Sequence, residues 1–184
     1  MTDTQLSIPI AFCCGGSGGH VYPAISIAQS CDPSKVIFLG TRHREDYRIV
    51  PQYGYTYFPD VYDGKNPVKI AKSMWKIMTV LLKNKIKILV CTGGRATFIT
   101  SIAAWLLRIP IVILEQNAVP GRTNKAIQNF AKTICISFES AKLYFPMEKT
   151  VLTGNPIRRQ FPKIKKDDIL KNCHWKYKKT LLVF

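Results

Sequence analysis

Short apolar runs alternate along this chain with longer stretches of helical periodicity. Strands are predicted near Ile8–Cys14, Val36–Gly40, Tyr55–Asp60, Ile86–Cys91, Ile111–Leu114, Thr133–Ser137 and Thr150–Thr153. Helices are predicted near Val21–Ser30, Pro67–Lys83, Thr97–Leu107 and Thr123–Ala131, with a shorter one over Glu45–Tyr53. Several strands are apolar on both faces, as in Ile86-Lys87-Ile88-Leu89-Val90 and Ile111-Val112-Ile113-Leu114. A strand of that kind belongs in a parallel sheet covered by helices on both sides. Strand–helix alternation therefore predicts an α/β fold with a doubly wound, mostly parallel, Rossmann-like sheet.

The pattern changes near Gln160. Residues 1–158 read as one domain, and the lysine-rich, weakly periodic stretch 159–179 as a basic linker. Thr180-Leu181-Leu182-Val183-Phe184 then reads as the first strand of a further domain.

Composition adds three constraints. The chain has 184 residues, 47% of them hydrophobic, which suffices for a well-buried domain. No apolar run is long enough to cross a bilayer, and the polar start Met1 to Ser7 is not a secretory signal. The six cysteines sit mostly inside apolar runs and show neither zinc-site nor disulfide-scaffold spacing, so buried reduced thiols are expected.

The formal charge is +16. Lys65, Lys69, Lys72, Lys76, Lys83, Lys85 and Lys87 form one cluster with no acid among them, and a second runs from Arg158 to Lys179. Such a balance favours anionic partners, although a lysine-rich surface can also arise without one. No RNA- or DNA-binding motif accompanies the charge, so no specific nucleic acid is expected. Met74, Trp75, Met78, Leu81 and Leu82 interleave with Lys69, Lys72, Lys76 and Lys83. A helix so built can pack on the sheet through one face. The other, around Trp75 with Lys72, Lys76 and Met78, can lie on an anionic membrane surface.

In a parallel sheet, the loops after the strands emerge at one edge, where ligands bind. Here those loops are Gly15-Gly16-Ser17-Gly18-Gly19-His20, Thr92-Gly93-Gly94-Arg95, Glu115-Gln116-Asn117-Ala118 and Gly154-Asn155-Pro156-Ile157-Arg158. The first opens a helix, and free amides at a helix start suit phosphate. It lacks the Lys-Ser/Thr ending of a P-loop, and no acid closes the second strand, where Gly40-Thr41-Arg42 stands. Each loop alone has a plain structural explanation. Glu115 can cap the next element, and His20 can be a structural hydrogen bonder. Their convergence on one edge favours a ligand cleft.

These loops carry a family resemblance. Gly15-Gly16-Ser17-Gly18-Gly19-His20-Val21-Tyr22-Pro23-Ala24 resembles the first glycine loop of the MurG family, the bacterial N-acetylglucosaminyltransferases of peptidoglycan synthesis. Glu115-Gln116-Asn117-Ala118-Val119-Pro120-Gly121-Arg122-Thr123-Asn124-Lys125 resembles that family's Glu-Gln-Asn loop, and Gly154-Asn155-Pro156-Ile157-Arg158 its Gly-Asn-Pro-x-Arg motif. The likeness runs from about Ile8 to Phe184. It implies the amino-terminal half of a GT-B glycosyltransferase, with most of the donor site in a second domain. It implies transfer of GlcNAc from UDP-GlcNAc to the C4 hydroxyl of the MurNAc of undecaprenyl-pyrophosphoryl-MurNAc-pentapeptide (lipid I), giving lipid II. The alternative is a non-catalytic, membrane-associated acceptor-binding half of a split or degenerate glycosyltransferase. The place implied is the cytoplasmic face of the bacterial plasma membrane, peripherally bound.

The resemblance also assigns candidate residues. His20 is the candidate base, or else a hydrogen bonder that positions the acceptor or a phosphate. Ser17, Gly18 and Gly19 meet a diphosphate of donor or acceptor, and Asn117 and Arg158 hold the UDP-sugar. Gly93, Gly94, Arg95, Glu115, Gln116 and Asn124 are acceptor-side candidates. No Asp-x-Asp pair lies near these loops, so neither a divalent metal nor another cofactor is expected. Two loops depart from the family pattern: Ser17 stands where the family usually has Thr and keeps the hydroxyl, and after Gly93-Gly94 Arg95-Ala96-Thr97 stands where it usually has Tyr-Val-Ser, so a cation replaces the ring.

Overall fold

The structure is a computed structural model and describes residues 6–157. The linker and final strand expected after residue 158 lie outside the described residues, as does Arg158. Among the described residues, seven strands form one sheet: β1 (Ile10–Cys14), β2 (Val36–Leu39), β3 (Thr56–Phe58), β4 (Ile88–Gly93), β5 (Ile111–Glu115), β6 (Thr133–Ile136) and β7 (Thr150–Leu152). Their order is β3-β2-β1-β4-β5-β6-β7, and each neighbouring pair is parallel.

Five α-helices connect them: α1 (Gly18–Ala28), α2 (Glu45–Gln52), α3 (Pro67–Lys83), α4 (Arg95–Leu106) and α5 (Arg122–Ile127). Alternate residues of the central strands feed two separate cores. Phe12, Cys14, Phe38 and Leu114 pack with Val21, Ile25 and Ala28 of α1 and Ile49 and Val50 of α2. Ala11, Cys13, Leu39, Leu89, Cys91 and Ile113 pack with Ile77 and Leu81 of α3, Ile99 and Ala103 of α4, and Ile127 of α5. The sheet is thus covered on both faces, as the doubly apolar strands require. Phe12 stacks on Phe38 with ring centroids 5.1 Å apart, which locks β1 to β2.

Cys13, Cys14, Cys31 and Cys91 are buried, Cys135 is half-buried, and all five are free thiols. Burial pushes the Cys91 thiol up to about 12. These cysteines act as small apolar core residues.

Helix starts differ from the predicted ones. Helix α1 begins at Gly18 rather than Val21, and α4 at Arg95 rather than Thr97. The first turn of a helix needs no buried apolar residue, so periodicity detects it late. The helix expected to reach Ala131 ends its α-helical part at Ile127 and continues as a 3-10 turn, Gln128–Phe130. Helix α3 starts where the sequence says it should. Asn66 accepts a 3.1 Å hydrogen bond from the Lys69 amide, and Pro67 fills the first position.

Strand order reverses between β1 and β4. The chain builds outward from β1 to β3, then crosses over to β4 on the other side. This switch point opens a crevice at the strands' carboxyl ends. The glycine-rich loops after β1 and β4 both lie there.

Candidate functional site

The two glycine loops meet backbone to backbone. The Gly15 amide donates to the Gly93 carbonyl at 2.7 Å. A Cβ on Gly15 would fall 2.5 Å from the Gly94 Cα, so no larger residue fits. Gly93 and Gly94 have φ of +110° and +88°, conformations that L side chains rarely adopt. The chain thereby leaves β4 and enters α4 directly beside the first loop.

Helix α1 starts inside its own glycine run. Ser17 occupies the N-cap position with an extended backbone, and its hydroxyl caps nothing. The amides of Gly18 and Gly19 belong to the first turn, where no intrahelical acceptor exists. No acid stands in that turn, so the positive end of the helix is uncompensated. Amides, dipole and a free hydroxyl together make a cradle for an anion.

His20 is half-buried in the same turn, with its ring over Gly93. A Cβ at Gly93 would lie 2.8 Å from the His20 Cε1. The His20 Nδ1 is 3.3 Å from the Gln116 Oε1, a contact across 96 positions of sequence. Gln116 in turn donates from Nε2 to the Leu114 carbonyl at 3.3 Å. That donation fixes which end of the amide faces the imidazole: the oxygen, an acceptor only. Nδ1 must then carry the proton, and Nε2 is left as the basic nitrogen.

Glu115 organises the loop from below. It is 1% exposed, and its carboxylate accepts four hydrogen bonds. Oε1 takes the Asn117 amide and side-chain nitrogen, both at 2.9 Å. Oε2 takes the Gly121 amide at 3.1 Å and the Asn124 Nδ2 at 2.9 Å. Asn124, also 1% exposed, donates as well to the Leu114 carbonyl at 3.2 Å. Glu115 and Asn124 hold the loop; Asn117 is exposed on top of it, and Gln116 turns toward His20.

A polar cleft of about 210 Å³ opens at the switch point, lined by Gly15, Gly16, Ser17, His20, Gly94 and Arg95. The same cleft includes Thr41, Arg44 and Asp63, which sequence reasoning did not single out. Their signal was positional: Thr41 and Arg44 follow β2, Asp63 follows β3, and both loops leave the same sheet edge. Arg44 lays its aliphatic stem against Gly16, where a Cβ would meet Cγ and Cδ at 3.1 Å. Its guanidinium pairs with Asp63 at 3.4 Å. Asn155 follows β7 at the same sheet edge, farther along it, and is exposed.

A buried acid supports this wall. Asp46 of α2 is 0% exposed and accepts from the Tyr57 hydroxyl at 2.9 Å and the Thr41 amide at 3.4 Å. Burial outweighs those bonds and holds its carboxyl above the ordinary range. The Tyr57 hydroxyl, buried beside Asp46, is raised too and stays protonated.

On α3, Lys72 and Lys76 are exposed and Trp75 is 73% exposed, whereas Met78 is partly buried against the core. Lys76 is paired with Asp60 at 3.1 Å. No helix among the described residues is long and apolar enough to cross a membrane.

Residues 10–136 match the glycosyltransferase family 28 N-terminal domain. A protein of Thermoanaerobacter sp. (strain X514) is 36% identical over 187 residues, covering 94% of this chain and 51% of that protein. It is named UDP-N-acetylglucosamine–N-acetylmuramyl-(pentapeptide) pyrophosphoryl-undecaprenol N-acetylglucosamine transferase. The protein of that name from Psychromonas ingrahamii is 35% identical over 158 residues, with 79% and 44% covered. Among solved structures, Acinetobacter baumannii MurG superposes with a TM-score of 0.70 at 29% identity, over 84% of this chain and 47% of that one. Anabaena HepE in complex with UDP gives 0.72 at 15% identity, over 91% and 49%, a likeness of fold. This chain spans about half the length of the curated relatives it matches. With the order of its strands and the glycine loops at their switch point, the chain belongs to glycosyltransferase family 28 and carries that family's N-terminal domain in the fold of a GT-B amino-terminal half.

Proposed function

We propose that this chain forms the acceptor side of an inverting transferase. The enzyme moves GlcNAc from UDP-GlcNAc to the C4 hydroxyl of the MurNAc in lipid I and yields lipid II. The observation that carries the reading is the His20–Gln116 contact beside an anion cradle at the sheet's switch point. In the reaction, the lone-pair nitrogen Nε2 of His20 takes the C4 hydroxyl proton. The freed oxygen forms the new glycosidic bond to the anomeric carbon as the bond to UDP breaks. One displacement inverts the configuration, and UDP leaves with the electron pair. Ser17, Gly18 and Gly19 hold a diphosphate. Asn117 and Arg158 contact the UDP-sugar across the cleft, and an arginine suits phosphate because its fork stays charged.

The chain works peripherally at the cytoplasmic face of the plasma membrane. Exposed Val68, Trp75 and Leu82 share a stripe of α3 with Lys72, flanked by Lys69 and Lys83. Apolar side chains enter the interface while lysines reach anionic headgroups. By itself the chain binds lipid I and does not turn it over, because the donor half is needed.

Nanodiscs with and without lipid I, at equal anionic lipid content, test this reading. Lipid I should raise retention of the 184-residue chain, and a His20→Ala variant should still be retained by anionic lipid alone. Equal retention with and without lipid I would overturn the acceptor assignment. Turnover of UDP-GlcNAc by the isolated chain would overturn its dependence on a donor half.

A further inference from the structure

Beside the polar cleft lies a second groove of about 260 Å³, between the loop after β2 and the loop after β3. Thr41, Arg42 and His43 line one side, and Asp60, Tyr62 and Asp63 the other. Thr41 and Asp63 line the polar cleft as well, so the two spaces adjoin. The transfer step leaves Arg42, His43 and Tyr62 without a task.

The walls of this groove are held by backbone and by a buried hydroxyl. Thr41 and Asp60 form an isolated antiparallel bridge, which ties the two loops together. Ser73 of α3 is 4% exposed and fixes the far wall. Its hydroxyl accepts from the Tyr62 amide and donates to the Asp60 carbonyl, both at 2.9 Å. The charges on the walls are therefore free to serve a ligand. Arg42 Nη2 lies 3.5 Å from Asp60 Oδ1, and Lys76 Nζ lies 3.1 Å from the same oxygen. Asp60 keeps a cation when Arg42 turns away. The Arg42 side chain is 63% exposed, so giving up that pair costs little. His43 is exposed, and its side chain makes no hydrogen bond or ion pair among the described residues.

We infer that this groove holds the peptide stem of the acceptor, with Arg42 and His43 on a peptide carboxylate and the Tyr62 ring against the stem. The inference rests on the acceptor reading above and deepens it. Muramic acid carries its peptide on the lactyl ether of C3, the carbon next to C4. With the C4 hydroxyl at His20, the stem starts inside the cleft and has to leave it. The shared residues Thr41 and Asp63 mark an exit toward the β3 edge of the sheet. A groove with cations on one side and acids on the other suits a peptide, which presents carboxylate, carbonyl and N–H groups in turn. Its volume is below the roughly 300–1,000 Å³ of a pocket for a whole small molecule, so it takes a segment of the stem. Arg42 is then a specificity-determining residue, because its planar fork matches a carboxylate.

Nanodiscs of equal anionic lipid content test the inference when loaded with lipid I, with the same lipid lacking the peptide, or with neither. Lipid I should retain the 184-residue chain about three- to tenfold more strongly than the peptide-free lipid does. Arg42→Gln should lower lipid I retention toward the peptide-free level and leave retention by the peptide-free lipid unchanged. Arg42→Lys should restore part of the difference, and His43→Gln should lose part of it. Lipid I with every stem carboxyl amidated should behave as the peptide-free lipid, and amidation of the terminus alone tells a terminal from a side-chain carboxylate. The His43 ring resonances should shift on addition of soluble MurNAc-pentapeptide and stay in place with MurNAc.

Equal retention by lipid I and the peptide-free lipid, both above discs with neither, would overturn the groove and leave the acceptor reading standing. A peptide-dependent gain that survives Arg42→Gln and His43→Gln together would overturn it as well. So would full retention by the amidated stem. Equal retention by all three discs would overturn the acceptor reading and the groove with it.

Discussion

The imidazole of His20 and the amide of Gln116 lie 3.3 Å apart, Nδ1 to Oε1, although 96 positions separate them in sequence. The contact joins the glycine loop after β1 to the Glu-Gln-Asn loop after β5. Because Gln116 also donates to the Leu114 carbonyl, its oxygen end is held toward the ring. Gln116 is thus a positioning residue that sets which imidazole nitrogen is basic. Replacing Gln116 with Leu keeps the bulk and removes the acceptor. Nitrogen-15 NMR of the His20 ring should then show a shift away from the Nδ1–H tautomer, with the fold unchanged. Gln116→Glu should retain or strengthen the Nδ1–H form. An unchanged tautomer ratio in Gln116→Leu would remove Gln116 from that role.

Glu115 ties four donors to one buried carboxylate. Glu115→Gln conserves shape but turns one acceptor oxygen into a donor that faces other donors. A buried donor left without an acceptor costs about 1–3 kcal/mol. The expected loss in unfolding free energy is therefore about 2–4 kcal/mol, read from urea midpoints at constant slope. A loss below about 1 kcal/mol would mean that water satisfies the loop.

Strands were legible because burial on both faces leaves an unmistakable record, as in Ile111-Val112-Ile113-Leu114. Helix α3 was legible over Pro67–Lys83 because apolar residues such as Met74, Met78 and Leu81 interleave with lysines, while its Asn66 cap and the buried Ile77 came from the structure. The starts of α1 and α4 were not, because Gly18 and Arg95 contribute backbone and charge rather than buried apolar surface. The motif loops marked the site's edge. They did not distinguish residues that face a ligand from those that hold the loop. Glu115 and Asn124 belong to the second kind, since a buried carboxylate and a surface one read alike in sequence. Asp46 escaped notice for the same reason, on a short helix with polar neighbours. The His20–Gln116 contact could only come from the fold, because it depends on β1 and β5 each flanking β4.

The Gly15–Gly94 approach gives a steric prediction with its own control. Gly94→Ala must place a Cβ against the Gly15 backbone in a conformation with φ of +88°. Overpacking and strain together should cost about 3 kcal/mol or more. Gly54 has a similar φ of +78°, but a Cβ added there would meet nothing within 4 Å. Gly54→Ala should therefore cost only the strain, about 1–2 kcal/mol. Equal losses in thermal unfolding would show that the two glycine loops do not press on each other. A larger loss at Gly94 should be accompanied by weaker pyrophosphate binding, because the same contact shapes the cleft.

Asp46 makes stability depend on pH in a direction opposite to that of a salt-bridged carboxylate. Its folded-state value is raised, chiefly by burial, so the fold favours the protonated form. The contribution of that form is complete below the ordinary aspartate value, about 3.9, and is lost as pH rises through the raised value. Its Oδ1 and the Thr41 Oγ1 have no hydrogen-bond partner, so an ionised Asp46 would be poorly compensated. Asp46→Asn cannot titrate, and its carbonyl can still accept from the Tyr57 hydroxyl and the Thr41 amide. The unfolding free energy of the native chain minus that of Asp46→Asn should fall as pH is raised from about 4 toward neutrality. Tyr57 remains protonated throughout this window and keeps donating, so the slope belongs to Asp46 alone. A difference that is flat, or that grows with pH in favour of the native chain, would mean that the ionised carboxylate is the form this wall of the cleft is built around.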